Sequence, residues 1–145
     1  MKALLQRVSR ASVTVNADCV AEIEQGLLVL LGLDRGDDRV AADRMVEKLL
    51  AYRVFADGQG RMNCSVADVG GGVLLVSQFT LSADTSKGLR PGFSSAMPPS
   101  EAAELYDYML TQLRRLHPHV ASGVFGADMQ VSLVNEGPVT FLLDI

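Results

Sequence analysis

The sequence predicts an α+β fold, a single domain spanning residues 1–145 in which mainly antiparallel β-sheet carries two main helices packed on one side. Three observations lead there. Strand-like stretches outnumber helical ones. Several connections between them are too short for the crossover that a parallel pair requires. The length of 145 residues is that of one domain, and a hydrophobic content of 48% suffices for one substantial core.

The elements follow in order. In MKALLQRVSRASVTVN, β-branched and polar residues alternate at Val8, Ser9, Ser12, Val13, Thr14 and Val15, the period of a half-buried strand. CVAEIEQGLLVLLGL reads as two short strands around a hairpin turn at Gln25-Gly26. The second, Leu27 to Leu33, is apolar on both faces and belongs at the centre of a sheet. The period then changes: Asp37 or Asp38 caps a helix from about Asp38 to Tyr52, with Ala42, Met45, Val46, Leu49 and Leu50 as its apolar stripe. DGQGRMNCSVADVGGG reads as loop, and VLLVSQFTL as another buried strand. From Ser82 to Pro99, SADTSKGLRPGFSSAMPP shows no periodicity, and an irregular loop of that length in a compact domain is usually either functional or disordered. Ser100 caps a second helix with its stripe at Ala102, Leu105, Tyr106, Met109, Leu113 and Leu116. Arg114 and Arg115 suit its carboxyl end, and Pro118 stops it. Two strands close the chain, one near Met129 to Val134 and one from Val139.

Composition excludes several classes of function. A net charge of -4 argues against nonspecific nucleic-acid binding but leaves room for a local basic patch such as Lys87 and Arg90. The start carries Lys2, Arg7 and Arg10 without the apolar run of a signal peptide, and the longest apolar stretch, Leu27 to Leu31, cannot span a bilayer. A cytoplasmic protein is expected. Cys19 and Cys64 stand apart with no CxxC and no neighbouring His, so no zinc site or redox motif is expected and both read as reduced packing residues. His117 and His119 flank Pro118 and read as surface helix termination. There is no G-x-S-x-G, H-E-x-x-H or Walker sequence. What remains is Ser77-Gln78-Phe79-Thr80-Leu81, where a buried strand runs out into polar side chains, and Gly137-Pro138 before the last strand. Each also has a plain structural reading: strand-end hydrogen bonding for the first, a turn or edge-strand stop for the second. Arg7 likewise reads as a solvated face and Met129 as core.

Three stretches together, MKALLQRVSRASVTV, LLVSQFTLSADTSKGLRPGF and NEGPVT, resemble the D-aminoacyl-tRNA deacylase family over essentially the whole length. The resemblance implies a homodimer without metal or cofactor that hydrolyses the ester between a D-amino acid and the 3′ end of tRNA. It implies no membrane or DNA partner. It further implies that Gly137-Pro138 is a cis peptide inserted from one subunit into the other's site, with Arg7 holding its orientation. Ser77, Gln78, Phe79 and Thr80 are then the catalytic candidates, while Gly137, Pro138, Arg7 and Met129 are the substrate-binding ones. Lys87, Gly88, Arg90 and Phe93 combine charge and an aromatic ring suited to a single-stranded RNA end.

Such a site makes physical sense. D- and L-aminoacyl groups contain the same atoms, so discrimination is better achieved by rejection than by attraction. A rigid backbone wall against one face of Cα admits hydrogen there and excludes a side chain, and glycine lets the main chain come that close. Glycine as a substrate carries hydrogen on both sides, so glycyl-tRNA should be hydrolysed too. For the chemistry, Thr80 as nucleophile would need an adjacent base that the sequence does not place beside it. The favoured route uses the free ribose hydroxyl of the substrate to activate water, with backbone N–H groups around Phe79 and Thr80 stabilising the oxyanion. The alternatives are a related editing hydrolase for mischarged L-aminoacyl-tRNA and a noncatalytic dimer that binds tRNA ends.

Overall fold

The first strand organises the molecule. In the computed structural model, which describes residues 1–145, β1 runs over Lys2–Val15, longer than the alternation at Val8 to Val15 indicated. One edge of β1 is lined along its length by β8, Gln130–Asp144, antiparallel. Its other edge carries two antiparallel strands in succession: β2, Asp18–Ile23, against residues 11–15, and β3, Gly26–Gly32, against residues 2–8. Gln25-Gly26 is therefore not a hairpin turn, because β2 and β3 each pair with β1 instead of with one another. The hairpin lies earlier, between β1 and β2. Asn16 (φ 49°) and Ala17 (φ 68°) both adopt the left-handed conformation that a two-residue turn demands.

Helix α1, Arg39–Ala51, starts from Asp38, whose side chain accepts from the Ala41 N–H at 2.9 Å, and ends at Tyr52, as its apolar stripe indicated. The stretch expected to be loop holds a small hairpin, β4 at Phe55–Ala56 with β5 at Met62–Cys64, and the single-turn α2 at Val66–Val69. Ser65 and Asp68 form a reciprocal capping box on that turn. Strand β6, Gly72–Ser77, is shorter than VLLVSQFTL indicated, since Phe79–Ser82 turns into a 3-10 helix. Helix α3 spans Pro99–Leu116. Its cap position is Pro98 and not Ser100, with Pro99 in the first turn where a missing N–H costs nothing. Strand β7, Val120–Ser122, had no periodic signal at three residues. The last two expected strands are one, β8, interrupted by a bulge.

The sheet is mixed. Strand β6 pairs parallel with both β3 and β7, while every pairing of β1 is antiparallel. The parallel pairs are possible because the segment carrying α1 crosses from β3 to β6, and that carrying α3 from β6 to β7. The larger core joins Leu5, Leu27, Val29, Leu31, Val73 and Leu75 from one sheet face to Met45, Leu49, Tyr106 and Met109 of α1 and α3. On the opposite face, Val8, Ala11, Val13, Leu28, Leu74 and Val76 cluster without a helix. No helix is long and apolar enough to cross a membrane. Two local expectations fail. Cys19 is exposed instead of packed. His117 is 4% exposed, its Nε2 2.7 Å from the Gly71 carbonyl oxygen, so the helix end turns inward and gains a buried partner.

A charged cluster ties β1 to the segment leading into α1. The Met1 ammonium donates to Asp34 Oδ2 at 2.9 Å and to Asp37 Oδ1 at 3.0 Å, and Lys2 Nζ donates to Asp34 Oδ2 at 2.9 Å. Burial opposes ionisation of Asp34, but the Ser82 hydroxyl, the Met1 ammonium and Lys2 outweigh it and hold the carboxyl at about 2, against an ordinary 3.8. The Ser82 hydroxyl has two acceptors to choose between: it donates to Leu33 O at 3.2 Å, and turned the other way it would satisfy Asp34 Oδ1, which is buried and otherwise has no partner. A carboxyl depressed on folding stabilises fully above its unfolded value and loses that contribution as pH falls through the folded one. Stability to urea should therefore fall between about pH 4 and pH 2, and Asp34→Asn should flatten that fall. An acid limb equally steep in Asp34→Asn would place its origin elsewhere.

Candidate functional site

Strand β6 delivers its carboxyl end to a cavity of about 580 Å³ between the sheet, α3 and the irregular loop. The backbone turns sharply there because Gln78 N–H donates to Leu31 O of the neighbouring strand at 2.7 Å, after which Leu81 N–H bonds back to Gln78 O at 3.1 Å. Ser77, Gln78 and Phe79 line the cavity, with Met129, Val131, Phe125 and Ala127 on one wall and Met97, Pro98 and Ala102 on another. Thr80 is exposed beside it, its Oγ1 accepting from Gln78 Nε2. As the opening residues of a short 3-10 turn, Phe79 and Thr80 have N–H groups with no carbonyl partner inside that turn.

The floor is held by Tyr106 from α3. Its hydroxyl donates to Leu75 O at 2.9 Å and sits 2.7 Å from Ser122 Oγ, tying β6, α3 and β7 together beneath the site. Burial pushes that hydroxyl's pKa up, with the Ser122 hydrogen bond acting the other way, so Tyr106 stays neutral and structural. The rim is held by two backbone bonds and one side-chain bond: Arg35 N–H donates to Ser95 O at 2.9 Å, Met97 N–H to Leu33 O at 3.0 Å, and the Ser95 hydroxyl to Ser82 O at 2.5 Å. A groove of similar size, about 570 Å³, lies over Arg10, Ser12, Glu22, Glu24 and Ser132, but it contains none of the candidate residues. The chemistry of the lining, and not volume, singles out the first cavity.

Gly137-Pro138 lies elsewhere. Between Val8↔Asn135 and Gln6↔Thr140, β8 has three more residues than β1, and the excess loops out of the ladder. The Gly137-Pro138 bond in this bulge is cis, and both residues are exposed. Arg7 braces one side: Nε donates to Glu136 O at 2.8 Å and Nη1 to Val54 O at 2.8 Å. Asn135 braces the other, accepting from Val139 N–H at 2.7 Å and donating to Val139 O at 3.1 Å and Thr140 Oγ1 at 3.0 Å. Arg7, Gly137 and Pro138 are thus brought together, but not among the residues lining the cavity that holds Ser77, Gln78, Phe79 and Met129.

The irregular loop divides as well. Asp84 and Gly92 exchange backbone hydrogen bonds of 2.8 and 3.0 Å, closing an exposed hairpin that carries Lys87, Gly88 and Arg90 away from the cavity. Asp84 Oδ1 accepts from Ser86 Oγ at 2.6 Å and Ser86 N at 2.9 Å, and these bonds, the hydroxyl's foremost, lower its pKa. Only Phe93 of that candidate group reaches the cavity. Asn135, Tyr106, Phe125 and Arg35 were not picked out from sequence. Asn135 at the head of NEGPVT was the one with a visible signal, an amide beside a glycine-proline pair.

Residues 4–144 match the family model described as D-Tyr-tRNA(Tyr) deacylase. A D-aminoacyl-tRNA deacylase of Cellvibrio japonicus (strain Ueda107) is 61% identical over 145 residues, covering 100% of this chain and 99% of its own length. One from Pseudomonas syringae pv. syringae (strain B728a) is 61% identical over 144 residues, 99% of each. Among solved structures, a c-Myc DNA unwinding element binding protein superposes with a TM-score of 0.96 at 43% identity, covering 100% of this chain and 99% of that one. A probable eukaryotic D-amino acid tRNA deacylase gives 0.84 at 21% identity over 99% and 98%, a likeness of fold.

Proposed function

The chain belongs to the D-Tyr-tRNA(Tyr) deacylase family, and on that premise we propose that it hydrolyses the ester between a D-amino acid and the 3′ end of tRNA, as a homodimer in the cytoplasm. The observation that carries the dimeric reading is the separation of the two motifs. The cavity at Ser77, Gln78 and Phe79 and the braced bulge at Gly137-Pro138 belong to different surfaces of one chain, and both are open to solvent. A second copy can bring its bulge to the first copy's cavity, and twofold symmetry then builds two equal sites.

In this arrangement the bulge is the stereochemical wall, held by Arg7 and Asn135. The 580 Å³ cavity takes the aminoacylated terminal nucleoside, with Met129 on its lining. Lys87, Gly88 and Arg90, on the exposed hairpin, meet the backbone of the RNA further from the ester. The DNA-binding name carried by one structural relative fits this chain less well, given its net charge of -4.

The reaction forms one acyl C–O bond to water and breaks the ester C–O bond, while the proton that water gives up passes by way of the free ribose hydroxyl to the departing ribose oxygen. Thr80 Oγ1 bonds to an amide, Gln78 Nε2, which cannot act as a base, so its hydroxyl lacks the activation a nucleophile needs. Water activated by the substrate's free ribose hydroxyl attacks the ester carbonyl instead. The N–H groups of Phe79 and Thr80 receive the developing oxyanion, and Ser77 and Gln78 orient the substrate. Thr80→Ala should therefore keep deacylation of D-tyrosyl-tRNA within about tenfold of wild type, measured at saturating and subsaturating substrate. A complete loss with binding intact would establish Thr80 as the nucleophile. Because the wall only excludes, the purified chain is also expected to release glycine from glycyl-tRNA. Survival of glycyl-tRNA at enzyme levels that clear D-tyrosyl-tRNA would require a positive contact to the D side chain.

A further inference from the structure

Large aromatic side chains are seldom left in water without a partner, yet Phe79 is 62% exposed and Phe93 39% exposed on the same rim of the cavity. Their rings lie 5.1 Å apart at 48°, a paired surface and not two stray residues. Arg35 lies on that rim too. Its Nε donates to Ser94 O at 2.7 Å, which fixes the guanidinium beside the loop that carries Phe93. Its two terminal nitrogens make no hydrogen bond or ion pair, so an oriented cation with unused donors stands next to an exposed aromatic pair.

We propose that Phe79, Phe93 and Arg35 form a second nucleotide subsite, which stacks the base next to the terminal adenosine and pairs with the phosphate between the two. The proposal rests on the deacylase reading. If the cavity holds the aminoacylated nucleoside, the RNA strand must leave through the mouth, and the next base arrives where the two rings are. An aromatic face accepts any base, while a guanidinium offers paired donors to a phosphate. This also explains how a chain of net charge -4 holds RNA: one fixed cation at the phosphate nearest the ester is worth more than diffuse surface charge.

The test compares D-tyrosyl-CpCpA with D-tyrosyl-adenosine as substrates. The wild-type chain should show a kcat/KM at least about tenfold higher for the trinucleotide, the scale of one stacked base. Phe93→Leu and Arg35→Gln should each bring that ratio close to one, and Phe93→Trp should preserve it. Arg35→Gln should also reduce the slope of log KM against log salt for the trinucleotide by about 0.7, the loss of one single-strand phosphate contact. A wild-type ratio near one, or a ratio that Phe93→Leu leaves as it was, would overturn the subsite. So would Phe93→Leu sedimenting as a smaller species than wild type, which would mean that a second copy of the chain covers the rings. If the wild-type chain hydrolyses neither substrate nor D-tyrosyl-tRNA, the deacylase reading fails and the subsite with it.

Discussion

Gly137→Ala is expected to lower kcat/KM for D-tyrosyl-tRNA by about a hundredfold or more while leaving the chain folded. The backbone there has φ +150°, which L side chains rarely adopt. A Cβ would also come within 2.7 Å of Val139 Cγ2, 2.8 Å of Val139 N and 3.3 Å of Arg7 Nη2. Val139 N–H is held by Asn135 and Arg7 is anchored at both Glu136 O and Val54 O, so the bulge must shift as a unit or break a brace. The residue is exposed and outside the core, so the strain should cost only about 1–3 kcal/mol of stability. The functional loss is larger, since a methyl group added at the wall and a backbone shifted by about 1 Å take up the space in which only the hydrogen on the substrate Cα fits. The same variant tests action in trans. Ala127→Trp should fill the cavity from one wall and inactivate its own subunit's site. Mixed and allowed to exchange subunits, the two inactive proteins should recover about a quarter of wild-type activity, because a mixed dimer unites one open cavity with one intact bulge. No recovery from a demonstrated mixed dimer would place the bulge and the cavity it serves in one chain.

Gly26→Ala should be the most damaging single substitution for the fold. Strands β3 and β6 begin side by side, Gly26 opposite Gly72, and a Cβ on Gly26 would lie 1.9 Å from Gly72 O and 2.7 Å from both Gly72 C and N. All three are backbone atoms in a central parallel pair, so no side chain can swing aside. We expect a loss of about 3 kcal/mol or more in urea unfolding, or failure to accumulate folded protein. Gly72→Ala is the control: its Cβ would meet Ile23 Cγ2 at 2.9 Å and Ile23 Cβ at 3.0 Å, a milder overlap than 1.9 Å onto a backbone oxygen, and the loss should be smaller. Equal losses would mean that crowding at the start of the pair is not what these glycines relieve.

Helix α1 was legible almost to the residue because its stripe and its cap at Asp38 are both local signals. The centre of the sheet was legible too, since Leu27 to Leu33 is apolar on both faces. Topology was not. That β2 and β3 share one edge of β1 depends on a left-handed turn at Asn16-Ala17, and that β6 runs parallel to β3 depends on packing of α1 and α3 far along the chain. The 3-10 turn at Phe79–Ser82 carries strand-like residues, and tertiary hydrogen bonding at Gln78 decided its shape. For the site, the two motifs stood out by residue type; that they lie apart in one chain was expected only from the family resemblance, since no local signal marks the bulge in β8 that carries Gly137-Pro138. Asn135 and Arg35 were missed because amides and arginines on strands and loops are ordinary; only their partners distinguish them.

Stereochemical editing by this chain is read most simply from deacylation of matched D-tyrosyl- and L-tyrosyl-tRNA by the purified protein with chelator present. Rapid loss of the D ester alone, undisturbed by chelator, is the expected result. Hydrolysis of both esters at similar rates, or of neither, would contradict it.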